Sequence, residues 1–179
     1  MTLKPWKILS SSHIHKNVRI DQCELPNGKV IDGFVLEYHD WVNVVALTPG
    51  QQVVLVKQYR HGIQKTILEI PGGVMDASDE SPLEAARREL LEETGYTSDN
   101  FIQVGKVCPN PANQTNSLHS FLALDVKKVA EQCLDEAEEI EVVLKPLDEV
   151  IRMAKNGELL QSMQVSAVFF TLAYLKRIC

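Results

Sequence analysis

The N-terminal half of the chain alternates short apolar runs with turn residues, the pattern of strands rather than helices. Residues 18–25 and 30–38 flank Pro26-Asn27-Gly28, and Asn-Gly between two such runs marks a hairpin. Residues 42–47 and 53–59 read as two further strands around the turn Thr48-Pro49-Gly50. Residues 66–70 read as a short strand that Pro71-Gly72-Gly73 breaks. Farther on, residues 101–107, 117–126 and 140–144 carry strand patterns. Residues 147–155 form a helix that stops before Gly157, and residues 163–177 a final amphipathic helix.

The strongest helix signal covers residues 82–94. Ser81 stands as N-cap, Pro82 suits the first helical position, Glu84 sits where a capping-box acid belongs, and Gly95 suits the C-terminal stop. Helices interspersed in a mostly β chain predict an α/β (α+β) fold: a mixed β-sheet sandwiched by helices, behind an N-terminal β-hairpin region.

On a helical wheel Leu83, Ala86, Leu90 and Thr94 share the arc that packs on the sheet, while Glu89, Glu92 and Glu93 gather on another. Ala85, one turn before Glu89, leaves little bulk around the acids. Like charges one turn apart cost about a few tenths of a kcal/mol per pair. Arg88 offsets part of that. A solvated acidic face accounts for such a run. So does a site for a hard divalent cation, which takes oxygen ligands and keeps several waters. The neighbouring Pro71-Gly72-Gly73 favours the cation, because glycine lets the backbone come close and offers a carbonyl to the metal shell.

Composition narrows the classes. With 179 residues, 45% of them apolar, and no linker or repeat, the chain suits one compact domain. The net charge of −6 argues against nonspecific nucleic-acid binding. Cys23, Cys108, Cys133 and Cys179 form no C-x-x-C pair, so neither a disulfide scaffold nor a zinc site is expected. The most apolar stretch, residues 165–175, is too short to cross a bilayer, and no apolar N-terminal run resembles a signal peptide. These features predict a reduced, cytoplasmic protein with no membrane association. No Walker sequence, G-x-G-x-x-G or G-x-S-x-G occurs, which argues against a nucleotide kinase, a Rossmann oxidoreductase and a serine hydrolase. His13, His15, His39, His61 and His119 lack ligand spacing and read as structural or surface residues.

The segment GGVMDASDESPLEAARRELLEETGY, residues 72–96, resembles the signature box of the Nudix hydrolases. Arg88, Glu89, Leu90, Glu92, Glu93, Gly95 and Tyr96 match its second half in full, and Glu80 stands at the family's distance before Arg88. The family pattern has five residues between its Gly and its Glu. Six separate Gly73 from Glu80, a one-residue insertion around residues 76–79. The segment VVLVKQYRHG followed by LEIPGG is similar to the branch that cleaves ADP-ribose and related nucleoside diphosphate sugars, as is the pair Pro109 and Pro111. The similarity covers most of residues 40–175.

The resemblance implies a Nudix-type α/β/α sandwich over residues 40–179. Residues 1–39 are the N-terminal β region, expected to form a homodimer and to cross to the partner's substrate pocket. It implies Mg2+, with Mn2+ as the alternative, held by Glu89, Glu93 and the Gly72 carbonyl. Glu92 is implied as a further ligand or as the residue orienting the metal-bound water, and Arg88 as a clamp on neighbouring carboxylates. Arg60 would fork onto the substrate diphosphate, with Glu69 beside substrate or metal water. The general base would come from the second acidic patch, LDEAEEIEVV, at Glu136 or Glu138, with Glu139 as a third candidate. Trp41, Tyr59 and Trp6 are the aromatic candidates for an adenine slot. The implied reaction is hydrolysis of ADP-ribose to AMP and ribose 5-phosphate. A housecleaning activity on nucleoside triphosphates and a sensor that binds nucleotide without cleaving it are the alternatives. The retained acids argue against the second.

Overall fold

In the computed structural model, which describes residues 4–136 and 138–177, the chain divides into two units. The first takes the N-terminal segment up to His39 together with Cys108–Ser117. Its strands β1 (Lys7–His15), β2 (Val18–Glu24) and β3 (Val30–Leu36) pair antiparallel in that order. The expected hairpin is β2–β3. β1 is additional: every residue of KILSSSHIH is exposed, so no alternation of burial marks it. Within this sheet Arg19 forks onto the buried Asp21 carboxylate at 2.8 and 3.0 Å. It also bonds Glu37, which in turn pairs with His13. The 108–117 segment returns to β3, where the Leu36 N–H donates to the Asn113 carbonyl at 2.7 Å.

The second unit holds the main sheet. Its strands are β4 (Trp41–Leu47), β5 (Gln52–Arg60), β6 (Lys65–Glu69), β8 (Asn100–Val107), β9 (Leu118–Leu124) and β11 (Ile140–Pro146). They run in the order β11-β5-β4-β9-β8, with β6 added to β5. β4 and β9 are parallel and the other pairs antiparallel, so the sheet is mixed. β7 (Tyr96–Thr97) and β10 (Lys127–Lys128) form a small separate ribbon.

Val42, Val44, Ala46, Val54 and Phe121 bury one face of the sheet under Ala85, Ala86 and Leu90 of α1 (Pro82–Thr94). Val45, Leu47, Val53, Leu55 and Leu122 bury the other under α2 (Leu147–Lys155) and α3 (Ser162–Tyr174). Central strands covered on both faces read as near-continuous apolar runs, which is why β4 and β5 stand out in the sequence. α3 stops three residues before the end its pattern suggests, because the chain turns left-handed at Lys176 (φ +54°). Cys23, Cys108 and Cys133 are free thiols, and Cys179 lies outside the described residues. Among the described residues no helix is long and apolar enough to cross a membrane.

One irregularity of the sheet prepares the site. β4 and β5 pair only at Ala46 with Val54 and Leu47 with Val53. Beyond that, β5 goes on with β6 and β11, and residues 71–73 lie as a strap along the freed half of β4. The Val44 and Val42 N–H groups donate to the Pro71 and Gly73 carbonyls, each at 2.9 Å. A side chain on Gly72 (φ +155°) would run into the Val42 carbonyl, so the strap needs glycine there.

Candidate functional site

α1 presents its acids to the strap. Its start is fixed by Ser81, whose hydroxyl accepts the Glu84 N–H at 3.3 Å, and its end by Gly95, whose N–H donates to the Leu91 carbonyl at 2.8 Å. This frame turns Glu93 inward to 5% exposure. Its Oε2 accepts the Gly72 N–H at 2.9 Å. With the flanking Pro71 and Gly73 carbonyls given to β4, the Gly72 N–H turns to the acids. Glu89 packs against Gly73, where an added Cβ would come within 2.5 Å of its Oε1.

The two carboxyls are poorly solvated and face like charges. Burial pushes Glu93 up to about 8, with the Glu89 and Glu138 charges adding; the Gly72 N–H and Arg60 pull the other way. Burial likewise pushes Glu89 up to about 7, against Arg88, with Glu92 and Glu138 adding.

Arg88 is the clamp that the sequence suggests. It bonds Glu89 and Glu92 at 3.0 Å each and reaches the Val74 carbonyl at 3.1 Å. Its strongest partner, however, is Asp79, gripped at 3.1 and 3.0 Å, which lifts the guanidinium pKa and lowers that of Asp79. Glu80 is exposed instead. The Asp76–Asp79 turn, closed by Asp79 N–H to the Asp76 carbonyl at 3.1 Å, absorbs the extra loop residue. Counting forward from Gly73 finds Asp79; counting back from Arg88 finds Glu80. Glu92 is 42% exposed at its side chain and engaged with Arg88.

On the sheet side of the site, Arg60 Nε donates to Glu69 Oε2 at 2.7 Å. The Glu69 side chain is 1% exposed and burial raises its pKa, with Arg60 opposing. Arg60 stands opposite Lys65 and Glu69 opposite Val56, so the Arg60 side chain reaches back along the β5–β6 hairpin to make this pair. Trp41 starts β4 and bridges Val74 just after the strap. Tyr59 is exposed, its ring 6.4 Å from that of His61. Trp6 belongs to the N-terminal unit. His119 is buried between Asp40 (2.8 Å) and Gln103 (3.1 Å), a structural role.

In the acidic segment before β11, Glu138 is exposed and acts electrostatically on both Glu89 and Glu93. Glu136 and Glu139 are exposed too. A residue that sequence patterns do not flag, Gln132, links this segment to α1. Its side chain donates to the Glu93 and Ile140 carbonyls at 2.7 and 3.1 Å.

A family model described as the NUDIX domain matches residues 37–163. The chain belongs to the Nudix family. It is 31% identical over 150 residues to the ADP-ribose pyrophosphatase of Bacillus subtilis (strain 168), covering 83% of this chain and 80% of that one. It is also 31% identical over 168 residues to the methanol dehydrogenase activator of Bacillus methanolicus, covering 93% and 89%. A crystal structure of an ADP compounds hydrolase superposes with a TM-score of 0.87 over 99% of this chain and 100% of that one, at 23% identity. The mixed sheet between helices is thus the Nudix fold.

Nudix hydrolases use divalent metal ions, and the donors here fit one. Among the described residues no three His, Cys, Asp or Glu side chains converge as a ready-made cage. A hard cation that keeps several waters does not need one. The buried Glu93 and half-buried Glu89 carboxyls, which repel each other when charged, offer oxygen donors beside Gly72 and Gly73 that a cation would relieve of their like-charge cost.

Proposed function

We propose that this Nudix protein hydrolyses the diphosphate bond of ADP-ribose or a related nucleoside diphosphate sugar, giving AMP, or the corresponding monophosphate, and a sugar phosphate. Mg2+ is the proposed cofactor, with Mn2+ as substitute. The observation that carries the reading is the packing of the Glu89 and Glu93 carboxyls against Gly72 and Gly73, with the Arg60–Glu69 pair on the adjoining strands. The pyrophosphatase relative, similar over most of both chains, supports the substrate class.

Glu89, Glu93 and the Gly72 carbonyl would hold the metal. When bound, it supplies charge neutralisation on the diphosphate and acidifies a water. Arg88 keeps Glu89 and Glu92 in place, and Glu92 orients water at the edge of the site. Arg60, held by Glu69 at one nitrogen, keeps its remaining donors for a phosphate oxygen. Glu138 takes the proton of the attacking water; its charge acts on Glu89 and Glu93, which supports it in this role. Trp41, at the edge of the strap, is the proposed contact for the base.

We further propose a homodimer formed through the N-terminal sheet. β1 is exposed along its whole length, and Ile8, Ile14, Val30 and Phe34 stand in solvent. A second copy would cover such an edge. The free thiols suit a reducing, cytoplasmic setting.

One preparation tests these points. Incubated with Mg2+ and a panel of ADP-ribose, other nucleoside diphosphate sugars and nucleoside triphosphates, it releases AMP from ADP-ribose and none after chelation. Light scattering on the same sample gives twice the chain mass. Orthophosphate or pyrophosphate from triphosphates alone, or tight binding without release, would contradict the reaction. A single-chain mass would contradict the dimer.

A further inference from the structure

The segment bearing Glu136 and Glu138 is tied at both ends to the last turn of α1. At its entry, the Cys133 N–H donates to the Glu92 carbonyl at 2.8 Å. At its exit, β11 begins at Ile140. There the two amide hydrogens of Gln132 serve two carbonyls, Glu93 at 2.7 Å and Ile140 at 3.1 Å.

The last carbonyls of a helix have no partner within it. In α1 those of Leu91, Glu92 and Glu93 are taken by Gly95, Cys133 and Gln132 in turn. The residues whose side chains build the acidic site therefore also anchor, through their backbones, the segment that faces it. Rotation or loosening of that segment would carry Glu138 away from Glu89 and Glu93.

We propose that Gln132 is a positioning residue: by bridging the Glu93 and Ile140 carbonyls it holds the acidic segment over α1, so that Glu138 faces Glu89 and Glu93. This rests on the reading of Glu138 as general base. Gln132 touches no reacting atom and acts through Glu138. A base on a loop is effective only when its geometry is held, and loss of about 1 Å of precision is enough to lower turnover markedly.

Gln132→Met tests it. The thioether keeps length and removes both donors. The side chain lines an open cavity of about 520 Å³ with Thr94, Lys128 and Leu144, so the change leaves the sheet core untouched. At saturating Mg2+ and ADP-ribose, kcat falls about 10-fold while KM changes less than about 2-fold, the signature of an interaction that matters to the chemical step. In a Glu138→Gln background the same substitution costs less than about 2-fold, because the group it positions is already disabled.

Amide exchange supplies a readout independent of turnover. In the variant it accelerates at Cys133, Asp135 and Glu138, whose N–H groups are bonded within or at the entry of the segment, while amides of Leu90 and β4 keep wild-type rates. Wild-type kcat in Gln132→Met, losses that multiply in the double variant, or exchange that accelerates equally throughout α1 and the sheet would each overturn the positioning role. A wild-type protein inactive on every diphosphate overturns the underlying reading instead. An active wild type with an unaffected Gln132→Met overturns only the role of Gln132.

Discussion

Glu93→Gln lowers kcat on ADP-ribose by about 10³-fold or more at saturating Mg2+, the scale of losing a charge that supports transition-state electrostatics in a dry site. The substitution keeps shape and retains an amide oxygen to accept the Gly72 N–H, now 2.9 Å from Oε2. What it removes is the negative charge. At 5% exposure that charge is held at a desolvation cost that the fold does little to repay and that the proposed metal would offset. The variant accordingly folds at least as well as the wild type: in the presence of chelator at pH 8 its melting temperature is equal or higher. Near-wild-type turnover at saturating Mg2+ would show that Glu93 does not hold the metal. A large loss of turnover together with a lowered melting temperature would assign the effect to folding.

The metal-free protein loses stability as pH rises from about 5 to about 8. Glu89 and Glu93 ionise near 7 and near 8 in the fold, against an ordinary value of 4.5. Through that window the folded chain keeps protons that the unfolded chain has released. Each upward step in pH therefore favours unfolding. The two carboxyls titrate as a pair, and the total loss is on the order of a few kcal/mol. Asp21 and Asp79 are shifted the opposite way, by Arg19 and Arg88. Their contribution is lost only as pH falls below the ordinary carboxyl range, outside this window. Millimolar Mg2+ compensates the paired charges, so denaturant midpoints with and without Mg2+ diverge as pH passes 7. Urea titrations between pH 5 and 8.5 in chelator check this. A rising midpoint over that range, or the same slope in Glu93→Gln, would refute it.

How much of this was legible in the sequence depends on how local each feature is. α1 was legible almost residue by residue because its caps, its apolar arc and its acids lie within one turn of each other. β4 and β5 were legible because burial on both faces leaves no polar interruption. The inward turn of Glu93 and the outward lean of Glu92 toward Arg88 were not, since the wheel puts both on one arc and only the contact with the Gly72–Gly73 strap separates them. The bounds of β1 within the expected N-terminal β region were not legible, because an exposed edge strand has no alternation of burial to show. That Asp79, and not Glu80, pairs with Arg88 was not legible, because a turn whose geometry spacing alone does not reveal absorbs the inserted residue. In the β5–β6 register Arg60 stands opposite Lys65 and Glu69 opposite Val56, so their pairing needs the long Arg60 side chain to reach back along the hairpin, and Gln132 acts through backbone carbonyls on two distant elements. Neither leaves a periodic trace.

The central claim is that the α1 acids exist to bind a divalent cation that in turn binds a diphosphate. Mn2+ binding followed by electron paramagnetic resonance, with and without a non-hydrolysable ADP-sugar analogue, tests it most directly. The account predicts that wild-type protein binds Mn2+ and binds it more tightly with the analogue present, and that Glu93→Gln abolishes both effects. Equal Mn2+ affinity in wild type and Glu93→Gln, unchanged by the analogue, would contradict it.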